Sequence, residues 1–188
     1  MLSTILFSIE MFLFILATIF TVGVIRCEAN TLTSCPDIQS ESITGVEGHW
    51  YMVYASTLRS TVRCTFSDMV NKGSNHFEST VTIDMKDNSP SQTMVSDIKK
   101  DTDGKYYDTW VDKGVVKKDP VMLKIEGDFL LEYLCVHYAN GTVFEHASIH
   151  SKTKEKSDAI KTTFDTMLKN KNSQYGQFYE QPLTDCSG

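Results

Sequence analysis

Residues Glu47–Ser56 read EGHWYMVYAS. A glycine stands two places before a tryptophan, and apolar and aromatic residues follow in a run long enough for one strand. Side chains along a strand alternate between its two faces. If Trp50 points to an interior, Met52 and Tyr54 point there with it. The stretch therefore reads as the first strand of an all-β domain. Its sense depends on whether the rest of the chain supplies partner strands.

The flanking sequence supplies them. Turn residues punctuate the chain every eight to twelve positions: NKGSN (71–75), DNSP (87–90), DTDG (101–104), DKG (112–114), EGD (126–128) and NG (140–141). Gly, Asn, Asp and Pro make turns by tolerating positive φ or by bonding their own backbone. Evenly spaced short strands with such breaks indicate a sandwich or a barrel. The segments between breaks predict eight strands, at 48–57, 61–70, 76–86, 91–99, 104–111, 117–125, 128–139 and 142–151. Three of the four prolines (Pro36, Pro90, Pro182) fall outside the predicted strands, as a ladder without their N–H requires.

Alternation orients several strands. Val81, Ile83 and Met85 oppose Thr80, Thr82 and Asp84; Val121, Leu123 and Ile125 oppose Met122 and Lys124. On the fifth strand either Tyr106 and Trp110 or Tyr107 and Val111 face inward. Asn140-Gly141 fits a two-residue hairpin turn with positive φ at both positions. That turn pairs Tyr138 with Val143, Val136 with Glu145 and Leu134 with Ala147. It places Leu134, Val136, Tyr138, Val143, Glu145, Ala147 and Ile149 on one face, and Cys135, His137, Phe144, His146 and Ser148 on the other.

One segment departs from the β pattern. Ile160, Phe164, Met167 and Leu168 fall at i, i+4, i+7 and i+8, one face of a helix, with Ser157 as its N-cap. A last short strand is predicted in SQYGQFYEQ (173–181).

The N-terminal segment belongs to a different class. An apolar run from Met11 to Ile25 is followed by a polar step and by Cys27-Glu28-Ala29. This predicts a secretory signal over residues 1–29, cleaved after Ala29, with a single domain over 30–188. The run is short for a membrane span, and no membrane insertion is expected. The chain has five cysteines and a formal charge of −6. Removing Cys27 leaves an even four, which in an oxidising compartment predict two disulfides of unspecified pairing. No basic patch suggests nucleic acid. Asn140-Gly141-Thr142 is a glycosylation sequon on an exposed turn.

Eight up-and-down strands followed by one helix, in a secreted chain of this size, resemble the lipocalin family. Gly48-His49-Trp50 is similar to its G-x-W motif. Lys152 stands where the family carries an arginine. The cysteine spacing resembles that of arthropod lipocalins: insect bilin-binding proteins and the triabin- and nitrophorin-type salivary group. Nearly all of residues 30–188 takes part. The resemblance implies an eight-stranded antiparallel barrel with the helix packed outside. It implies the disulfides Cys35–Cys135 and Cys64–Cys186. It also implies that Trp50 closes the narrow end under Lys152, with Gly48 letting the chain pass close to the barrel floor. Gly127-Asp128-Phe129 faintly echoes a second family motif.

The family's function is to hold a small hydrophobic ligand. Here the expected lining is Met52, Tyr54, Val81, Ile83, Tyr106, Trp110, Leu123, Val136, Tyr138 and Glu145. Glu145, with Glu132 on its face, either receives a cationic ligand such as a biogenic amine or reaches water at the mouth. The alternative is a salivary-type protein that inhibits a host enzyme or scavenges amines or lipid mediators. No cofactor is expected. Nitrophorins bind haem through a histidine whose position falls on Thr82 here, with His76 the nearest substitute. His137 and His146 form a surface pair without a third ligand, so no metal is expected. No hydrolase, metalloprotease or P-loop motif is present. The thiol of an isomerase-type lipocalin would fall on Cys64, which the implied disulfide occupies.

Overall fold

A computed structural model describes residues 34–186 except 41, 42, 88, 113, 139 and 140. The expected signal segment 1–29 and the sequon residue Asn140 lie outside the described residues. Nine strands and one helix follow in order: β1 (Gly48–Ala55), β2 (Val62–Gly73), β3 (His76–Met85), β4 (Gln92–Lys100), β5 (Tyr106–Asp112), β6 (Val115–Glu126), β7 (Phe129–His137), β8 (Val143–Ser151), α1 (Asp158–Asn170) and β9 (Tyr179–Glu180). Each strand from β2 to β7 pairs with the next, β8 pairs with β1, and β1 returns to β2. The sheet is therefore a closed, eight-stranded, antiparallel up-and-down barrel. β9 lies antiparallel beside the upper half of β1.

Two apolar clusters hold this shape. Inside the closed end, Trp50 packs with Val46, Met69, Ile98, Leu123 and Leu130. Outside the wall, Phe164 and Leu168 of α1 pack on Val53, Tyr54, Leu131, Tyr133 and Ile149 of β1, β7 and β8. The helical face read from the sequence is the buried one. Ser157 caps it, its Oγ accepting from the Ile160 N–H at 3.3 Å. Burying a Phe or Leu side chain contributes about 2–3 kcal/mol, so α1 is held by its docking more than by propensity.

Trp50 is fully buried, and its Nε1–H donates to the Val46 carbonyl at 2.7 Å. The Lys152 ammonium lies 4.9 Å from the centre of its ring, a contact of about 0.5–1 kcal/mol at a partly solvated site. Gly48 acts differently from the expectation. A Cβ there would meet nothing within 4 Å, so no close approach demands the glycine. Its φ of +118° does, because side-chain-bearing residues rarely adopt it.

Cys35 joins Cys135, and Cys64 joins Cys186, with Cα separations of 5.8 and 5.4 Å. The first ties the N-terminal segment to the outer face of β7, and the second ties the C-terminal segment to β2. For loops of this length the chain-entropy account gives about 4–5 kcal/mol each.

Two departures re-aim side chains. The β7–β8 connection is longer than a two-residue turn. The Tyr138 N–H donates to the Thr142 carbonyl, and the Gly141 N–H donates to the Tyr138 carbonyl, both at 2.9 Å. Gly141 has φ +81°, the left-handed residue that ends a three-residue loop. The register is accordingly Val136↔Phe144, Cys135↔Glu145 and Tyr133↔Ala147. A slip of one residue turns every side chain of a strand to the other face, so Glu145, Ala147 and Ile149 point outward, to the Tyr133 side. The second departure is a bulge in β1, between Met52↔His150 and Tyr54↔Ile149. Val53 is the extra residue, alternation breaks there, and Tyr54 points out under α1.

Candidate functional site in the barrel lumen

The corrected register places Leu130, Glu132, Leu134 and Val136 of β7 inside, facing His150, Ser148, His146 and Phe144 of β8. On β5, Tyr106, Asp108 and Trp110 point inward, across from Val121, Asp119 and Lys117. Above the packed closed end these side chains leave a chamber of about 140 Å³. Met52, Val81, Ile83, Met94, Trp110 and Leu134 form its apolar lining, and Arg59, Asp108, Glu132, His146, Ser148 and His150 its polar one. It opens into a mouth of about 810 Å³, with Arg59, Trp110, Leu134 and His146 common to both.

The ten expected lining residues therefore divide by place. Met52, Val81, Ile83 and Trp110 line the chamber, and Val136 and Tyr138 line the mouth. Tyr106 and Leu123 belong to the closed-end core. The Tyr106 hydroxyl donates to Asn75 Oδ1 at 2.9 Å. Tyr54 and Glu145 lie outside the barrel. The Lys161 ammonium of α1 lies 5.4 Å from the Tyr54 ring centre. Glu145 accepts from the Ser173 hydroxyl and, at 2.8 Å, from the Gln174 N–H. This pins the segment after α1 to β8. Glu132 and Glu145 thus sit on opposite faces, as do His137 and His146. His76 is at the closed end of β3, with its ring on Asp97 at 2.8 Å.

The lumen carries charge that the alternation pattern did not announce. His150 Nε2 lies 3.2 Å from Glu132 Oε2 and 2.9 Å from Ser148 Oγ. Burial pushes the Glu132 carboxyl up, but the His150 hydrogen bond and the charges of His150, His146 and Arg59 outweigh it, and the group is held low. Asp108 goes the other way. It is 5% exposed. Burial first, then the neighbouring Glu132 charge, raise it to about 7, against hydrogen bonds from Ser96 and the Thr109 N–H. Burial lowers His146. The Ala147 N–H donates to Ser56 Oγ, which leaves that hydroxyl free to donate to His146 Nδ1, each at 3.1 Å.

Two buried atoms of the chamber lining have no hydrogen-bond partner among the described residues: Asp108 Oδ1 and His150 Nδ1. The Glu132 carboxylate accepts only, so His150 carries a hydrogen on Nε2. Asp108 Oδ1 is an acceptor when the carboxyl is ionised, and a buried polar group without a partner costs about 1–3 kcal/mol. A ligand head rich in N–H donors satisfies it. A nucleophilic route through Cys64 is closed, because its sulfur is bonded to Cys186 and a disulfide sulfur is no thiolate. Among the described residues no group of three or more His, Cys, Asp or Glu is placed to hold a metal ion.

No family model matches the chain, and no curated protein matches it. Solved structures do. Lobster apocrustacyanin A1 superposes with a TM-score of 0.60 at 14% identity, covering 74% of this chain and 78% of that one. The amine-binding protein of Rhodnius prolixus, solved with tryptamine, gives 0.57 at 15% identity over 78% and 84%. Siderocalin Ex-FABP gives 0.55 at 14% identity over 76% and 94%. At such identities the likeness is one of fold: the chain has the lipocalin fold.

Proposed function

We propose that the protein is a secreted binder and carrier of a small ligand with an apolar body and a cationic, N–H-donating head, held in the barrel lumen. The observation that carries this reading is the buried, unpartnered Asp108 Oδ1 on the wall of a chamber whose apolar lining includes Met52, Val81, Ile83, Trp110 and Leu134. The apolar wall supplies affinity at about 25 cal/mol per Å² buried, and a few polar groups fix orientation. The amine-binding protein of Rhodnius prolixus, similar in fold and solved with tryptamine, supports this reading. Two disulfides suit an oxidising, extracellular compartment, in line with the expected signal over residues 1–29.

Isothermal calorimetry with tryptamine, histamine, serotonin and noradrenaline tests it. An amine favours ionised Asp108, so binding releases a proton and tightens about tenfold from pH 6 to pH 8 for a group titrating near 7. Asp108→Asn abolishes that pH dependence. Absence of heat for all four amines at both pH values overturns the reading.

A further inference from the structure

The barrel wall is not closed over its full height. β4 and β5 pair from Lys100↔Tyr106 up to Ser96↔Trp110, where pairing between them ends. β4 continues upward to Gln92 paired only with β3, and β5 continues to Asp112 paired only with β6. Continued register would set Val95 against Val111. Both point to the outer face, where they are 55% and 64% exposed, and Val116, the partner of Val111, is exposed there too. Met94 lines the chamber, yet it is 42% exposed. The chamber thus has a side opening, a notch in the rim flanked by Met94 and Val95 on one side and by Trp110 and Val111 on the other.

Barrels exist largely to remove bare strand edges, and a contiguous exposed apolar patch marks a binding surface. This patch runs directly into the chamber through Met94 and Trp110. The chamber holds only a head group: about 140 Å³ is below the roughly 300 Å³ at which small-molecule pockets begin. A ligand of ordinary size extends beyond it.

We propose that the lumen takes a single-chain amphiphile with a primary ammonium head, and that its hydrocarbon tail leaves the barrel sideways through the β4–β5 notch. The head donates to Asp108 Oδ1, and the tail covers Met94, Val95 and Val111. This rests on the lumen being the ligand site, and it names the class of molecule that site accepts.

The test compares tryptamine, as a compact amine, with n-alkylamines from hexylamine to dodecylamine, by calorimetry on the disulfide-bonded protein. A tail that stays in contact gains about fourfold in affinity per methylene, the equivalent of about 0.8 kcal/mol. The gain continues to dodecylamine if the notch is used. Two variants block the notch without touching the head site. Val95→Cys with Val111→Cys closes the seam by a disulfide on the outer face. Val95→Asp places a charge in the path of the tail and does not depend on a new disulfide forming. Both lower dodecylamine affinity at least tenfold and leave tryptamine within twofold. Tryptamine binding with a gain that stops at hexylamine, or dodecylamine binding unchanged in both variants, overturns the notch and leaves the lumen site standing. If no amine of either kind binds, both proposals fall.

Discussion

Replacing Asp108 by Asn makes the protein more stable at pH 8 and leaves its stability at pH 4 nearly unchanged. The carboxyl is held at about 7 in the folded chain, against an ordinary value of 3.8. Below pH 4 it is protonated in both folded and unfolded states and contributes nothing to the balance. Between pH 4 and pH 7 the unfolded chain gives up the proton and the folded chain keeps it, so stability falls as pH rises. Above pH 7 both states are ionised and the cost is constant. At 1.36 kcal/mol per pH unit, the interval from 3.8 to about 7 amounts to about 4 kcal/mol. Water entering the lumen reduces this to roughly 2–4 kcal/mol. Asn keeps the shape and keeps an acceptor for Ser96, but it cannot ionise. Glu132, His146, His150 and Asp119 remain, so the difference between the two proteins isolates position 108. Urea unfolding of both, with disulfides intact, at each pH unit from 4 to 8 measures it. With a slope of about 2 kcal/mol per M, the variant's midpoint at pH 8 rises by about 1–2 M. Parallel stability profiles for the two proteins between pH 5 and pH 8, or a variant weaker at pH 8, refute the reasoning.

Two further outcomes separate the lumen from the frame around it. Glu145→Ala strands the Ser173 hydroxyl and the Gln174 N–H; it costs about 2 kcal/mol in urea unfolding and leaves amine affinity unchanged, whereas a loss of amine binding would return Glu145 to the ligand site. Lys152→Met keeps the stem over Trp50 and removes the charge; thermal unfolding at low salt shows a loss of about 0.5–1 kcal/mol, and an unaltered midpoint would mean the ammonium contributes nothing there.

The frame was legible because it depends on residues with few alternatives. Turn residues bounded every strand to within a few positions, Ser157 and the Phe164–Leu168 face marked the helix, and the cysteine order matched a known pairing. The lumen was less legible, and the reason is α1. It covers the outer faces of β1, β7 and β8, so Tyr133, Ala147 and Ile149 are as apolar outside as a lining would be inside. Counting apolar residues then points to the wrong face of β8. His146, Ser148 and His150 at i, i+2 and i+4 were the better signal, a polar face that no water-exposed strand needed. The bulge at Val53 and the third residue of the β7–β8 loop each shift alternation by one. Neither leaves a mark in composition, because Val53 is an ordinary strand residue and Asn-Gly suits both turn lengths.

Polarity is distributed unevenly along the barrel axis, and that is the strongest physical ground for a ligand site. The closed end is sealed by Trp50, Ile98, Leu123 and Leu130 and by a hydrogen bond from the indole. The open half holds Asp108, Glu132, His146 and His150 within a single small chamber. A chain selected for stability alone gains by an apolar residue at 108, since buried charge is seldom net stabilising. The observed choice lowers stability at neutral pH and leaves an acceptor unsatisfied, which is the usual mark of a functional group held ready for something outside the protein. Substitutions in the closed end should therefore alter unfolding without altering affinity. Substitutions at Asp108 should do the reverse of what core mutations do, raising stability while weakening the ligand.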